Sequence, residues 1–507
     1  MELLSVPRSL LSSCCNNVTL LGIFLTVFVL LFDFMKRRKT WIRYPPGPFS
    51  IPFLGNMLQV DFQQPHVSFT QLSKKFGNVF SLQFCWRNVV VLNGFKVMKE
   101  ALVDKSEDIA DRPPFPQYDN LGVKKNCEGL VIARYGRGWK EQRRFSLSTL
   151  RNFGLGKKSL EERIIEEAGF LCSVFESKGG QPFDAHFNTH SAVSNVICSM
   201  VFGDRFEYDD KRFLRFLHLF EEDMKAESGL IVQFLTVFPS LKYIPGVGKK
   251  MFECHAELIK LLKELIDEHK VSLDPAQQRD FIDAYLEEIE KVKRDPETSF
   301  TETNLILTTL DLFSAGTETT ATTLRWALLF MILYPDIQSK VHEEIDQVIG
   351  RGRRPVLGDQ MNMPFTNAVI HEIQRCGNII PIALPHMAYR DTEIQGFFIP
   401  KGTTVITNLS SVLKDETYWE KPHQFYPEHF LDAEGKFVKR EAFMPFSAGR
   451  RVCLGEHLAR MELFIFFTTL MQCFTFRIPE NQPRPREDAY FSLTLSPHPY
   501  QICAKLR

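Results

Sequence analysis

The sequence predicts a mainly α-helical chain with small β-sheets, anchored to a membrane near its N-terminus. Three observations lead there. Amphipathic runs at helical spacing recur along the chain, the longest over residues 299–334. The only early β signal is a pair of short apolar stretches, residues 79–84 and 88–92. Residues 18–32 are almost wholly apolar, and Lys36, Arg37, Arg38 and Lys39 follow directly.

Composition sets the frame. The chain has 507 residues, 44% hydrophobic and 24% charged, the balance of a globular protein with a large core. Length alone would allow about three domains. The formal net charge is zero, so no global basic field draws the protein to nucleic acid. Eleven cysteines without regular spacing argue for reduced thiols in a cytosolic setting rather than a disulfide framework. The 45 phenylalanines must cover a core, a cavity or a membrane contact.

Residues 1–44 read as an anchor and stop-transfer segment outside the folded body. Extended back to Leu10, the apolar run reaches the ~20 residues a span needs. The basic cluster stays on the cytosolic side, so the body, residues 45–507, faces the cytosol. A cleaved signal peptide would carry its charge before the apolar run. Tyr44, Pro45, Pro46, Gly47 and Pro48 form a stiff hinge, since proline fixes φ and resists helix.

A short helix is expected from His66 to Phe76, then the strand pair, then a helix over residues 95–102. Asp111, Arg112, Pro113 and Pro114 open a long loop. Trp139 and Arg143, four residues apart, share a helix face and offer only donors, which suits a carboxylate. Lys140, Arg144, Arg151, Lys157 and Lys158 make a basic face. It is either a solvated surface or a docking patch for an acidic partner. A capping box at Ser159 starts a helix to about Glu176, and further helices are expected over 189–202, 213–227 and 251–269. Residues 230–244 form an apolar lip, a membrane-dipping entrance or simply core.

The longest helix starts at a second capping box, Ser299 with Glu302. In its middle stands Ala315-Gly316-Thr317-Glu318-Thr319, where a glycine costing ~1 kcal/mol implies a close neighbour. Asp311 shares the face of Ala315 and Thr319. It is either hydrogen-bonded to backbone or a counter-charge for a cationic substrate, with Glu227 as a second such charge. Glu372 and Arg375 lie on one face of a helix from about Pro364 to Cys376. A hairpin around Gly396 runs into residues 403–409, and an apolar tail, residues 490–495, returns toward the interior.

The chain is organised around residues 446–455, Phe-Ser-Ala-Gly-Arg-Arg-Val-Cys-Leu-Gly. An amphipathic run follows, so Cys453 sits at a helix N-terminus, where backbone N–H groups favour a thiolate. With no Cys or His at zinc spacing it is a poor zinc site; a nucleophile and a haem ligand both remain open.

These ten residues match the haem-binding signature F-x-x-G-x-R-x-C-x-G of the cytochrome P450 family at every fixed position. The resemblance extends from Pro45 onward. Within the family the chain is most similar to the microsomal vertebrate family two and its D subfamily. It implies haem b (iron protoporphyrin IX) on Cys453 as the axial iron ligand. Arg112, Trp139, Arg143, His386, Ser447 and Arg451 would bind the cofactor. Thr319 and Glu318 would be catalytic, delivering protons during oxygen activation. Val131, Glu227, Asp311, Ala315, Ile380, Leu384 and Leu493 would line the substrate site. Val131 stands where the best-known members have phenylalanine, and His429 where the family's Glu-x-x-Arg network has arginine.

The function implied is a haem-thiolate monooxygenase, oxidising lipophilic xenobiotics, basic amines, fatty acids or steroids at the endoplasmic reticulum membrane. Electrons come indirectly from NADPH, through NADPH-cytochrome P450 reductase and with cytochrome b5 as a second partner; membrane lipid is a further contact, nucleic acid is not. Two other classes are weighed: a haem-thiolate isomerase or synthase that needs no O2, and a non-enzymatic haem or lipid-binding membrane protein.

Overall fold

A computed structural model describes residues 18–32, 43–52, 54–85, 87–115, 128–153, 158–227, 235, 239–274, 276–492 and 494–507. Residues 18–32 are helical with exposed apolar side chains. Among the described residues no helix is long and apolar enough to cross a membrane. The rest of the expected anchor, most of the apolar lip and Leu493 lie outside the described residues.

The proline segment is a strap rather than a hinge. The Ser81 backbone N–H donates to the Pro46 carbonyl at 2.7 Å and its hydroxyl to that of Pro45 at 2.8 Å. A Cβ on Gly47 would lie 2.0 Å from the Ser81 oxygen, so only glycine allows this approach.

Helix α1 (Pro65–Phe76) precedes strands β1 (Val79–Phe84) and β2 (Arg87–Leu92). These pair antiparallel, Val79 opposite Leu92. Later strands β3 (His386–Met387) and β6 (Thr404–Thr407) complete one sheet in the order β1-β2-β6-β3. The hairpin around Gly396 is β4 (Thr392–Ile394) with β5 (Phe397–Ile399). Strands β7 (Phe474–Arg477) and β10 (Cys503–Leu506) pair, as do β8 (Ala489–Phe491) and β9 (Leu495–Pro497).

Helices carry the rest. α2 (Phe95–Lys99) runs into a π turn, Glu100–Asp104. Then come α3 (Arg137–Asn152), α4 (Lys158–Ser177), α5 (His186–Val201), α6 (Lys211–Glu227) and α7 (Lys249–Ser272). Ser159 lies inside α4, so the capping box expected there does not form. α8 (Phe281–Val292) was not legible in the apolar pattern; Asp280 caps it, accepting the Asp283 N–H at 3.0 Å.

The longest helix, α9 (Glu302–Leu333), begins at Thr301 rather than Ser299. Thr301 Oγ1 accepts the Asn304 N–H at 3.1 Å, while buried Ser299 is held by Gln142 and Glu141. Pro335 closes α9 and opens α10 (Pro335–Val348), since its fixed φ suits a first turn and its missing N–H ends the previous ladder. α11 (Pro364–Gly377), the short α12 (Ser410–Leu413) and α13 (Glu456–Cys473) complete the set.

α9 is the axis of the main core, and its central glycine has a packing cause. A Cβ on Gly316 would lie 2.5 Å from Ile197 Cδ1 on α5. The close neighbour inferred from the sequence is therefore helix α5.

Candidate active site

Between α9 and the turn before α13 lies a cavity of about 330 Å³. Its apolar walls include Ala315, Ile380, Leu384 and Val131. Glu227 is the last residue of α6, and its side chain is outside the described set.

Cys453 lies in the loop before α13, held by its own N–H to the Phe446 carbonyl at 3.0 Å. Its side chain opens onto the cavity. The thiolate expected from the helix end is not favoured by the protein alone. Burial pushes the Cys453 thiol above its ordinary range, against the opposing pull of the Gly455 and Glu456 N–H groups and Arg143. A cationic metal would reverse that balance.

The turn is fixed by contacts. Gly449 has φ of 73°, and a Cβ there would meet the Leu102 carbonyl at 1.6 Å. Three guanidinium groups wall the cavity beside it. Arg112 donates to the carbonyls of Val131 at 3.1 Å, Leu384 at 2.8 Å and Pro385 at 2.9 Å. Arg451 donates to Ala110 at 2.8 Å and Ala133 at 2.6 Å, and stacks over Trp139 at 4.1 Å. Arg143 donates to the Val452 carbonyl at 2.7 Å. Asp111, the acid next to Arg112, is taken by Arg134 at 2.7 Å, and none of the three guanidiniums makes an ion pair among the described residues.

Unneutralised charge shows in their acidities. Burial lowers Arg112 to about 10. Burial, then Arg112 and Arg143, lowers Arg451 to about 8. His386 contacts the Ile109 carbonyl through Nδ1 at 2.9 Å, and burial holds its ring well below the ordinary histidine range. The Ser447 hydroxyl is buried with no hydrogen-bond partner among the described residues. A flat, dianionic group ligated through its metal by Cys453 answers all three observations. Haem, with two propionates, fits the residues present.

The supporting network is buried. Arg375 grips Glu372 through two bonds, 2.8 and 2.7 Å, and donates to the carbonyls of Leu413, Pro422 and Gln424. His429 fills the third place. Its Nε2 accepts the Lys421 N–H at 3.0 Å, so the ring proton sits on Nδ1, 3.2 Å from Glu372. The geometry thus assigns a neutral donor where the family pattern has a cation.

On the α9 wall, the Thr319 hydroxyl donates to the Ala315 carbonyl at 2.7 Å, leaving its lone pairs to the cavity. Asp311 Oδ2 accepts the N–H groups of Leu130 at 2.6 Å and Val131 at 3.0 Å. Gly129 makes this possible: at φ of 70°, a Cβ would lie 2.4 Å from that oxygen. Burial still raises Asp311 to about 6. The backbone-bonding alternative is realised, and the carboxyl borders the cavity as well.

Glu318 does not border this cavity. One residue before Thr319 is ~100° around the helix, which turns it toward α5 and a second cavity. Glu462, missed in the sequence, does border the first. It is fully buried, neither oxygen has a hydrogen-bond partner among the described residues, and burial pushes its carboxyl far up. The signal available was an acid placed directly before the apolar run of residues 463–467.

The Cytochrome P450 family model matches residues 45–504. The chain is 57% identical over 489 residues to Cytochrome P450 2D15 of Canis lupus familiaris, covering 96% of this chain and 98% of that one. It is 56% identical over 486 residues to Cytochrome P450 2D6 of Homo sapiens, with 96% and 98% covered. It is 55% identical over 487 residues to Vitamin D(3) 25-hydroxylase of Sus scrofa, with 96% and 97% covered. A match of this length, with a cysteine turn facing three guanidiniums that make no ion pair among the described residues, has one reading: the chain belongs to the cytochrome P450 family.

Proposed function

We propose that the protein is a haem-thiolate monooxygenase that oxidises lipophilic substrates, basic amines among them, with electrons reaching it from NADPH. The observation that carries this reading is the single cavity onto which Cys453 and Thr319 both open, walled by Arg112, Arg143 and Arg451. Haem, when bound, supplies the oxygen activation; the protein supplies position, charge and protons.

Each residue has a defined task. Cys453 would ligate the iron as thiolate, since a bound metal displaces the thiol proton. Arg112, Arg451, Trp139, Arg143, Ser447 and His386 would hold the propionates. Charge pairing would lift the three depressed arginines back toward their ordinary range. Thr319 accepts and passes a proton at the cavity. Val131, Ala315, Ile380 and Leu384 exclude water and press the substrate toward the reacting centre. Asp311 attracts a protonated amine once it is ionised. The relative named a vitamin D(3) 25-hydroxylase supports neutral lipophiles as further substrates.

The redox partner is NADPH-cytochrome P450 reductase, with cytochrome b5 as an accessory donor. Exposed Lys140 and neighbouring basic groups on α3 give an acidic partner a surface to approach. Residues 1–44 anchor the protein in the endoplasmic reticulum membrane with the body in the cytosol.

Purified protein, reductase, lipid and a lipophilic amine would be assayed with and without NADPH. Oxygenated product that requires both NADPH and O2 is expected. Product without NADPH would point to an isomerase, and binding without NADPH consumption to a carrier.

A further inference from the structure

Two cysteines away from the haem cavity meet where α4 packs against the end of α13. Cys172 lies on α4, and Cys473 is the last residue of α13. Both are free thiols, half-buried against the main core. Neighbouring rings fix the approach. Phe175, one turn on from Cys172, has its ring 6.2 Å from that of Phe474, the residue after Cys473. The two thiols share a hydrogen bond, the largest single influence on the acidity of each.

Two arginines converge on this pair. Arg507 donates its backbone N–H to the Cys473 carbonyl at 3.0 Å and its guanidinium to the Met471 carbonyl at 2.9 Å. The same guanidinium meets Asp346 at 2.8 Å. Gln472 donates to the carbonyls of Gly350 at 2.7 Å and Arg353 at 2.8 Å, which brings residues 350–354 against the same helix end. Arg354 reaches from there over α4: a Cβ on Gly169, one turn before Cys172, would lie 3.1 Å from its Nη1. Glu176, one turn after Cys172, is the acid acting on both thiols.

These groups make the two thiols unequal. Cys473 is lowered, first by the hydrogen bond from Cys172 and then by Arg354 and Arg507, against burial and Glu176. Cys172 is raised, because it donates that bond and is buried. One sulfur is thus a nucleophile, and its neighbour keeps a proton. A thiolate beside a second, resolving thiol is the arrangement that redox-sensing cysteines use.

We propose that Cys172 and Cys473 are a reversible thiol–disulfide site, closed into a bridge between α4 and α13 by a small-molecule disulfide of the glutathione type. The Cys473 thiolate attacks one sulfur of that disulfide. Its S–S bond breaks, and a thiolate leaves and takes a proton from water. The Cys172 sulfur then attacks the Cys473 sulfur. The mixed bond breaks, and the second thiol leaves with the Cys172 proton. Two protein thiols are oxidised to one disulfide, and one small disulfide is reduced to two thiols. The bridge closes a loop of about 300 residues and ties α4 to the helix that follows the Cys453 turn. In a reducing compartment such a bridge is transient and reports the redox state.

The test equilibrates purified holoprotein in mixtures of reduced and oxidised glutathione, followed by alkylation and digestion with trypsin. Cleavage after Arg163, Lys178, Arg460 and Arg477 leaves each cysteine alone on its own peptide, residues 164–178 and 461–477. In wild type the two peptides are expected as one disulfide-linked species. Its yield rises with the share of oxidised glutathione, and excess reduced glutathione reverses it. The oxidised protein loses two titratable thiols, and its thermal midpoint rises above that of the reduced protein. Cys172→Ser, whose hydroxyl still donates to the sulfur, stops with glutathione held on Cys473. Cys473→Ser leaves Cys172 unmodified. In reduced wild type, iodoacetamide labels Cys473 on the order of 10-fold faster than Cys172. A wild type whose other thiols take up glutathione while the linked peptide never forms overturns the site. Glutathione on Cys172 in Cys473→Ser overturns the assignment of nucleophile, and equal thermal midpoints overturn the bridge as a tie between helices. The linked peptide is read in wild type, so a variant that fails to fold leaves that result standing.

Discussion

Replacing Asp311 separates its two roles, because the two obvious substitutions break different things. Asp311→Asn keeps an oxygen for the Leu130 and Val131 N–H groups and removes the charge. Asp311→Ala keeps neither. In the alanine variant two buried N–H groups lose their acceptor, at about 1–3 kcal/mol each, so a loss of roughly 2–6 kcal/mol is expected. The asparagine variant behaves otherwise. The folded carboxyl sits at about 6 against an ordinary 3.8, so the folded state favours the protonated form. The contribution is present below pH 3.8 and is lost as pH rises through 6, a decrease of roughly 3 kcal/mol at most. Asparagine, having no charge to bury, avoids this decrease. Its stability relative to wild type therefore improves between pH 4 and pH 7, measured by chemical denaturation. The functional assay is a ligand-difference spectrum of the ferric haem with a quaternary amine and an uncharged isostere of it. In wild type the quaternary amine binds up to ~10-fold more weakly for each pH unit below 6, while the isostere is indifferent. In Asp311→Asn that pH dependence disappears. If quaternary amine and isostere titrate alike in both proteins across pH 5 to 8, the carboxyl is only a tie for the 129–131 loop.

Other perturbations follow from the same contacts. Arg451→Lys keeps a charge but loses the fork that reaches Ala110 and Ala133, so haem should dissociate faster, measured by transfer to an acceptor protein. His429→Leu leaves the Lys421 N–H without its acceptor and removes a donor from Glu372, costing about 1–3 kcal/mol per unsatisfied group. His429→Gln, which can offer both a donor and an acceptor, should recover part of that loss in the same denaturation experiment. Gly316→Ala should destabilise through its clash with Ile197, and Ile197→Ala in the same chain should relieve it; an additive double mutant would contradict the packing account.

Local chemistry made much of this protein legible in its sequence. The Cys453 turn, the Trp139–Arg143 pair and the Glu372–Arg375 pair are short-range patterns, and short-range patterns survive folding. The mainly helical class followed from periodicity for the same reason. Helix starts were less legible. Ser299 and Ser159 both resemble caps, yet Ser299 is claimed by Gln142, more than a hundred residues away, and α4 starts before Ser159.

What only the tertiary structure decided is which groups meet. That Asp311 would be consumed by the N–H groups of Leu130 and Val131 depends on the backbone of Gly129 approaching α9. That His429 is a neutral donor follows from the Lys421 N–H on its far nitrogen, which no spacing rule encodes. Glu318 and Thr319 are neighbours in sequence, but ~100° of helical rotation sends one to the haem cavity and the other to a separate polar cavity. Sequence gives each residue its chemistry; the packing of α5, α9 and the C-terminal hairpin determines what that chemistry faces.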